Sequence, residues 1–193
     1  MKNKILLVLF VVLGFTSFAF ASQTLELKKE KGEVEFLAKG PLVRVNGEGP
    51  GAEGLLKIAD GKASGTLTLD LESLETGISL RDDHMKNKYL HVEKHPTAKL
   101  ELTNVELPKD LKGKTKFSGI MHLHGQKKEV SGTAKLKGVK SGKVKIAAEM
   151  NIKFSDFNID LPSFKLVSVG EDVKIKIKTQ ALVADSSKKA ASM

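Results

Sequence analysis

Strict alternation of apolar and polar side chains runs through most of this sequence and limits the folds open to it. In the segment 173–179 valine and isoleucine alternate with lysine, and the segments 144–154, 66–71 and 117–123 repeat the same period of two. Because successive side chains of a strand point to opposite faces, each segment predicts a strand with one apolar and one polar face. Such strands must bury their apolar faces against one another.

Turn signals separate these strands at short intervals. Asp60-Gly61 and Ser141-Gly142 predict tight hairpins, and Gly125-Gln126-Lys127 predicts a third turn. The apolar parity switches between residues 102 and 105, which predicts a bulge at 103–104. The order indicates an antiparallel meander of about eight strands, and therefore an all-β fold that closes into a barrel or packs as a sandwich.

The apolar face of the meander supplies the predicted interior. Its members are Leu67, Leu69, Leu100, Leu102, Phe117, Met121, Ala134, Leu136, Ile146, Met150, Ile152, Phe154, Ile175 and Ile177. Small residues such as Gly119, Gly132, Gly138 and Ala148 fall on the same face. They either leave space for a cavity or allow close backbone packing at bends.

The alternation stops between Ser73 and Leu102. Here the sequence predicts one short helix, over about 82–92, with Asp82 as its N-cap and Pro96 preventing its continuation. Such a helix could lie across the mouth of a barrel. Beside it, Arg81 is a candidate anchor for a phosphate or polar head group, with His84 as a second mouth residue. An ion pair with a neighbouring carboxylate is the alternative role for Arg81.

The two ends of the chain read as segments outside the domain. Lys2 and Lys4 precede an apolar run, and Ala19-Phe20-Ala21 has the small-residue pattern of a cleavage site. We therefore expect a signal peptide over 1–21 and an exported protein. One β-barrel domain is expected over 22–185, followed by a flexible tail over 186–193.

The positive charge of the chain comes almost entirely from lysine, which argues against nucleic acid as a partner. The formal net charge is +9 at pH 7, and Arg44 and Arg81 are the only arginines. Nucleic-acid binders favour arginine and stacking aromatics, whereas this chain has one tyrosine and no tryptophan. We therefore expect no nucleic acid as partner, and a solvated lysine-rich surface that could transiently contact anionic membranes.

Catalytic and metal sites are weakly supported by the sequence. The sequence contains no nucleophile elbow, no HExxH motif and no phosphate loop. His122 and His124 could supply two metal ligands from one strand, with His84 or His91 as a third. The prediction is that the protein is not an enzyme and holds no metal. A histidine-dependent metal protein or enzyme remains the alternative.

Several motifs together resemble the YceI family of periplasmic proteins. They are the segments 73–77 (SLETG), 81–84 (RDDH), 119–125 and 154–159 (FSDFNI), and the strand start at Pro96. The resemblance implies a lipocalin-like barrel that holds a long-chain polyisoprenoid or similar amphiphilic lipid in its interior, without catalysis. It implies a periplasmic location, and it makes the fourteen interior residues above the expected lipid-binding lining.

The resemblance leaves further questions open. No cofactor is expected other than a bound polyisoprenoid lipid. The sequence does not distinguish a monomer from a dimer. A second alternative is a stress-responsive secreted protein whose barrel interior is fully packed with side chains.

Overall fold

The computed structural model describes residues 23–161, 163–164 and 167–185. The predicted signal peptide and tail lie outside these residues. The strands are β1 (Gln23–Leu27), β2 (Gly32–Lys39), β3 (Arg44–Pro50), β4 (Glu53–Ala59), β5 (Lys62–Asp70), β6 (Thr97–Glu106), β7 (Lys112–Leu123), β8 (Gln126–Lys140), β9 (Lys143–Lys153), β10 (Ser163–Phe164), β11 (Val167–Ser168) and β12 (Asp172–Asp185). Single 3₁₀ turns occur at Lys29–Lys31, Lys109–Leu111 and Ser155–Phe157. None of the helices in the described residues is both long and apolar enough to span a bilayer.

Eight antiparallel strands form a closed ring. Their order is β1-β4-β5-β6-β7-β8-β9-β12, and β1 completes the ring by pairing with both β4 and β12. The predicted all-β, lipocalin-like barrel with one short helix is therefore confirmed, and the sandwich alternative is not adopted. We call the end of the barrel at β1 the lower half. The end that carries the 71–96 connection is the upper half.

The hairpin of β2 and β3 continues the wall in the upper half. β2 pairs with residues 173–179 of β12, above the part of β12 that pairs with β1. The free edge of β3 meets the connection after β5 through a single bridge between Glu48 and Glu75. The two backbone hydrogen bonds of this bridge are each 2.8 Å long. The upper wall is thus completed by far fewer backbone contacts than the lower ring.

Two of the three predicted hairpin turns lie where the sequence placed them, and the third begins one residue earlier. Asp60-Gly61 and Ser141-Gly142 both adopt positive φ, as a two-residue hairpin requires. The third turn is formed by His124-Gly125 rather than by 125–127, with φ of 51° and 75°. The predicted bulge at 103–104 is confirmed, because the β5–β6 register shifts there and Asn104 has φ of 53°.

Two glycines of the inner face, Gly119 and Gly132, allow close packing and do not leave empty space. A Cβ added at Gly132 would lie 2.5 Å from the Phe117 ring and 2.4 Å from the carbonyl oxygen of Glu149. A Cβ at Gly119 would lie 2.5 Å from the carbonyl oxygen of Glu101. These glycines therefore allow a neighbouring strand or ring to approach, which was the second of the two roles considered for them.

Buried side chains form two clusters stacked along the barrel axis. The lower cluster fills the lower half and consists of Leu25, Leu27, Leu56, Ala63, Leu111, Leu136, Val144 and Ala181. The upper cluster lines the upper half, where it includes Val34, Leu100, Met121, Met150 and Phe157. The barrel is thus packed solid at one end only.

Thr179 is a polar residue within this apolar interior. It is 7% exposed, and its Oγ1 has no hydrogen-bond partner among the described residues. A buried hydroxyl without a partner costs about 1–3 kcal/mol. We expect Thr179→Val to raise the free energy of unfolding by about 1 kcal/mol, measured by urea denaturation. The exposed Thr133→Val is the matched control, and an equal gain there would contradict this explanation.

Candidate functional site

The upper half of the barrel encloses an apolar cavity of about 550 Å³ that opens at the upper end. Its wall comes from β2, β3, β5, β6, β7, β9 and β12, and its floor is the lower cluster. Among the described residues the lining includes no aspartate or glutamate. A cavity of this size and composition suits an apolar ligand. The alternative of a fully packed interior does not match this structure.

Nine of the fourteen predicted interior residues line this cavity. They are Leu67, Leu69, Leu100, Met121, Met150, Ile152, Phe154, Ile175 and Ile177. The other five face inward but do not line it: Leu102, Phe117, Ala134, Leu136 and Ile146. Leu136 and Ile146 lie too low along the barrel, in or against the lower cluster. Leu102, Phe117 and Ala134 pack against neighbouring side chains. The expectation that these five line the cavity is therefore corrected.

A short helical segment stands beside the mouth, but its limits differ from the prediction. It comprises an α-helix at Ser79–Asp83 followed by a π-helical turn at His84–Tyr89. The residue before it is Ile78, so the predicted range 82–92 begins three residues too late and Asp82 is not the N-cap. Met85 and Tyr89 contribute to the cavity lining from this segment, and Leu90 directly after it does so too.

Asp82 instead fastens the loop that precedes the helix. Its Oδ1 accepts hydrogen bonds from the backbone N–H of Thr76, at 2.6 Å, and from the Thr76 hydroxyl. Arg81 donates from Nε to Thr76 Oγ1 and from Nη2 to Thr76 O, both at 2.8 Å. Arg81 is therefore held in place at the cavity mouth by a hydroxyl and a carbonyl. The sequence analysis proposed that Arg81 anchors a head group or pairs with a carboxylate. It did not predict these two hydrogen bonds to Thr76.

The same contacts predict an unusual titration for Asp82. The hydrogen bond from the Thr76 hydroxyl holds the pKa of Asp82 below its ordinary value of 3.8, and Lys86 and Arg81 lower it further. A carboxylate whose pKa is lowered by folding stabilises the fold above the ordinary pKa, and this contribution is lost as the pH falls through the lowered value. We expect an NMR titration to place the Asp82 pKa below 3.8, and Thr76→Val to raise it towards that value. A pKa unchanged by Thr76→Val would contradict this account.

Basic residues border the mouth. Arg81, His84, Lys88 and Lys99 all border the cavity. Of these, the sequence analysis proposed Arg81 and His84 but missed Lys88 and Lys99. Lys88 follows His84 by four residues, a helical spacing that could have revealed it. Lys99 lies on β6 between Ala98 and Leu100, which both face inward, so its side chain points away from the cavity.

The histidines do not assemble a metal centre. Nε2 of His122 lies 3.0 Å from Oε1 of Glu101, in a geometry that falls short of a hydrogen bond. His124 contacts the Phe157 carbonyl through Nδ1 at 3.0 Å and His91 Nδ1 through Nε2 at 2.9 Å. His84 stands at the cavity mouth. Among the residues that the structure describes, no three side chains of the metal-binding types form a potential site.

The carbonyl contact also gives His124 a structural role. The Phe157 oxygen can only accept, so Nδ1 of His124 carries a proton and, in the neutral ring, Nε2 accepts from His91. His124 therefore joins the β7–β8 turn to the segment after β9 and to the end of the mouth connection.

The segment 154–159 divides its side chains between the cavity and the core. Phe154 lines the cavity and is half-buried. Phe157 has no exposed surface and belongs to the upper cluster. Ile159 is 4% exposed and also borders the cavity. This segment therefore contributes both to the cavity lining and to the packed core.

Comparison with known families agrees with this geometry. Residues 25–181 match the model of the YceI-like domain. The chain belongs to the YceI family. No curated protein matches this YceI-like chain.

Solved structures similar to this YceI-like chain share its fold at low sequence identity. Burkholderia cenocepacia BcnA has a TM-score of 0.67 and 20% identity, covering 80% of this chain and 98% of that one. A polyisoprenoid binding domain from Saccharophagus degradans, implicated in plant cell wall breakdown, has a TM-score of 0.64 and 13% identity, covering 83% and 98%. The Campylobacter jejuni YCEI protein has a TM-score of 0.58 and 21% identity, covering 74% and 87%.

Proposed function

We propose that this YceI-family protein holds a long-chain polyisoprenoid or similar amphiphilic lipid in its barrel, without catalysis. The observation that carries the proposal is the cavity itself, which has apolar walls, lies above the lower cluster and is bordered by Arg81 and Lys88 at its mouth. A similar structure from Saccharophagus degradans is described as a polyisoprenoid binding domain, which supports the same ligand class.

The depth of the cavity determines how much of a tail it can enclose. On β12, Val173, Ile175 and Ile177 line it over four residue steps. Four steps cover about 13 Å along a strand, or about 10 Å along the axis of a barrel with tilted strands. An isoprene unit adds about 5 Å to an extended chain. A straight tail therefore buries about two units, and a longer tail folds back or leaves through the mouth.

Burial of the tail supplies the affinity. At about 0.8 kcal/mol for each buried CH₂, one five-carbon unit contributes roughly 4 kcal/mol before the costs of ordering. The head group would then rest at the mouth, near Arg81 and His84, with Lys88 beside them. The cationic rim and the lack of acidic lining residues favour an anionic head group such as a phosphate.

Location and partners follow from the same proposal. We place the protein in the periplasm, on the evidence of the predicted signal peptide and the family. Its partners are the lipid and, transiently, an anionic membrane surface; nucleic acid is not expected. A barrel with a single mouth can bind its ligand as a monomer, and a dimer is not required by the cavity.

Ligand extraction tests the proposal directly. Protein purified from the periplasm without detergent should yield, on organic extraction and mass spectrometry, an amphiphile with an isoprenoid or alkyl tail in near-stoichiometric amount. Refilling the extracted protein with a polyprenyl phosphate should restore that mass. Protein that contains no amphiphile and takes up none would refute the proposal.

A further inference from the structure

A cluster of unpaired lysines covers one side of the lower half of the barrel. Eight exposed lysines stand on the outer side of β7, β8 and β9, and we call this surface the lysine face. Its central members are Lys112, Lys114, Lys135 and Lys137, and the others are at positions 116, 140, 143 and 145. The lysine face lies around the lower cluster and away from the cavity mouth.

The pairing of strands places these charges directly opposite one another. Lys112 pairs with Lys137, Lys114 with Lys135, and Lys140 with Lys143. Like charges directly opposite on neighbouring strands destabilise a sheet. Lysines also protect exposed sheet edges, but β7, β8 and β9 are interior strands of a closed ring and have no edge to protect.

The neighbouring strand shows that the fold can neutralise lysines. On β12, Lys174 lies 2.6 Å from Glu149, and Lys178 lies 2.7 Å from Glu33 and 2.8 Å from Glu35. None of the ion pairs among the described residues includes a lysine of the lysine face. Its positive charge is therefore available to an external anion.

We propose that the lysine face binds the surface of an anionic lipid bilayer. Its lysines are point charges spread over a broad wall, which suits a diffuse layer of head groups better than the paired contacts used for nucleic acids. The lysine face contains no arginine and no aromatic side chain on which a base could stack. Val139, 49% exposed between Lys137 and Lys140, adds an apolar contact. This proposal names the surface for the membrane contact given under the proposed function, and its test does not depend on what the cavity holds.

Vesicle co-sedimentation tests the proposal with a chain that begins at residue 22, the product expected if the predicted signal peptide is removed. Vesicles of phosphatidylcholine alone are compared with vesicles containing 30% phosphatidylglycerol as the anionic lipid. We expect binding to the anionic vesicles only, and its loss when sodium chloride is raised to several times the physiological level, since screening shortens the reach of surface charges.

Two triple variants of equal charge locate the binding surface. Lys112→Gln/Lys135→Gln/Lys137→Gln removes three charges from the lysine face and should weaken binding about a hundredfold. Lys57→Gln/Lys94→Gln/Lys128→Gln removes three exposed charges elsewhere and should change it much less. Retained thermal stability of the first variant shows that its loss is not unfolding. Equal losses in both variants, no loss in either, or preferential binding of single-stranded nucleic acid would each overturn the proposal.

Discussion

Replacing Leu69 with tryptophan is expected to prevent lipid binding while leaving the barrel folded. Leu69 is a half-buried side chain on the cavity wall, so a larger ring has open space to enter and need not displace the packed core. Filling the space of one five-carbon unit removes about 4 kcal/mol of gross burial, and we expect a loss of affinity of at least about a hundredfold. Titration of the extracted protein with a fluorescent polyprenyl phosphate would measure it.

The neighbouring position on the same strand is the control. Thr68→Trp adds the same ring to the outer face of β5 and should leave affinity within a few-fold of the original. Urea denaturation of both variants would show that each remains folded. Full affinity in Leu69→Trp would mean that the tail does not occupy this cavity, and the proposed function would then be wrong.

Replacing Phe157 with alanine is expected to lower the free energy of unfolding more than any other substitution proposed for this protein. Its side chain is fully buried, and its carbonyl accepts the hydrogen bond from His124. Removing a buried phenylalanine side chain costs about 3–5 kcal/mol. Because a domain is stable by only about 5–15 kcal/mol in total, Phe157→Ala should greatly lower the unfolding midpoint in urea.

Phe154 provides the comparison for this prediction. It lies three residues earlier and faces the cavity, where it is half-buried. Phe154→Ala should therefore cost less stability than Phe157→Ala but reduce lipid affinity more. If the two variants lost equal stability and equal affinity, the division of this segment between cavity and core would be incorrect.

The strands and turns were predictable because their signals are local. Alternation with a period of two identifies a strand and its inward face without knowledge of its neighbours, and Asp60-Gly61 or Ser141-Gly142 can form hairpin turns on their own residues. The bulge at 103–104 was visible as a change of parity. The choice of a barrel over a sandwich depended on the family resemblance, because both folds bury one face of each strand.

Height along the barrel was not predictable from parity. Leu136 and Met150 have the same inward alternation, but Leu136 belongs to the floor and Met150 to the cavity wall. That difference depends on strand tilt and register, which the sequence pattern does not contain. The predicted start of the helix was wrong because it also depended on a contact that the sequence pattern does not contain. Asp82 has the residue type of an N-cap, but its carboxylate accepts a hydrogen bond from Thr76 in the preceding loop.

The bridge between Glu48 and Glu75 is the place where the upper wall is held by the fewest backbone hydrogen bonds. Separating β3 from the connection there breaks two backbone hydrogen bonds, whereas separating strands of the lower ring breaks a whole ladder. At about 0.5–1.5 kcal/mol net for each bond, this seam is the least costly line along which the wall can part. Amide hydrogens at Glu48 and Glu75 should therefore exchange sooner than those of β7 and β8. Local opening of the barrel should therefore begin at this seam, while the lower ring keeps its shape.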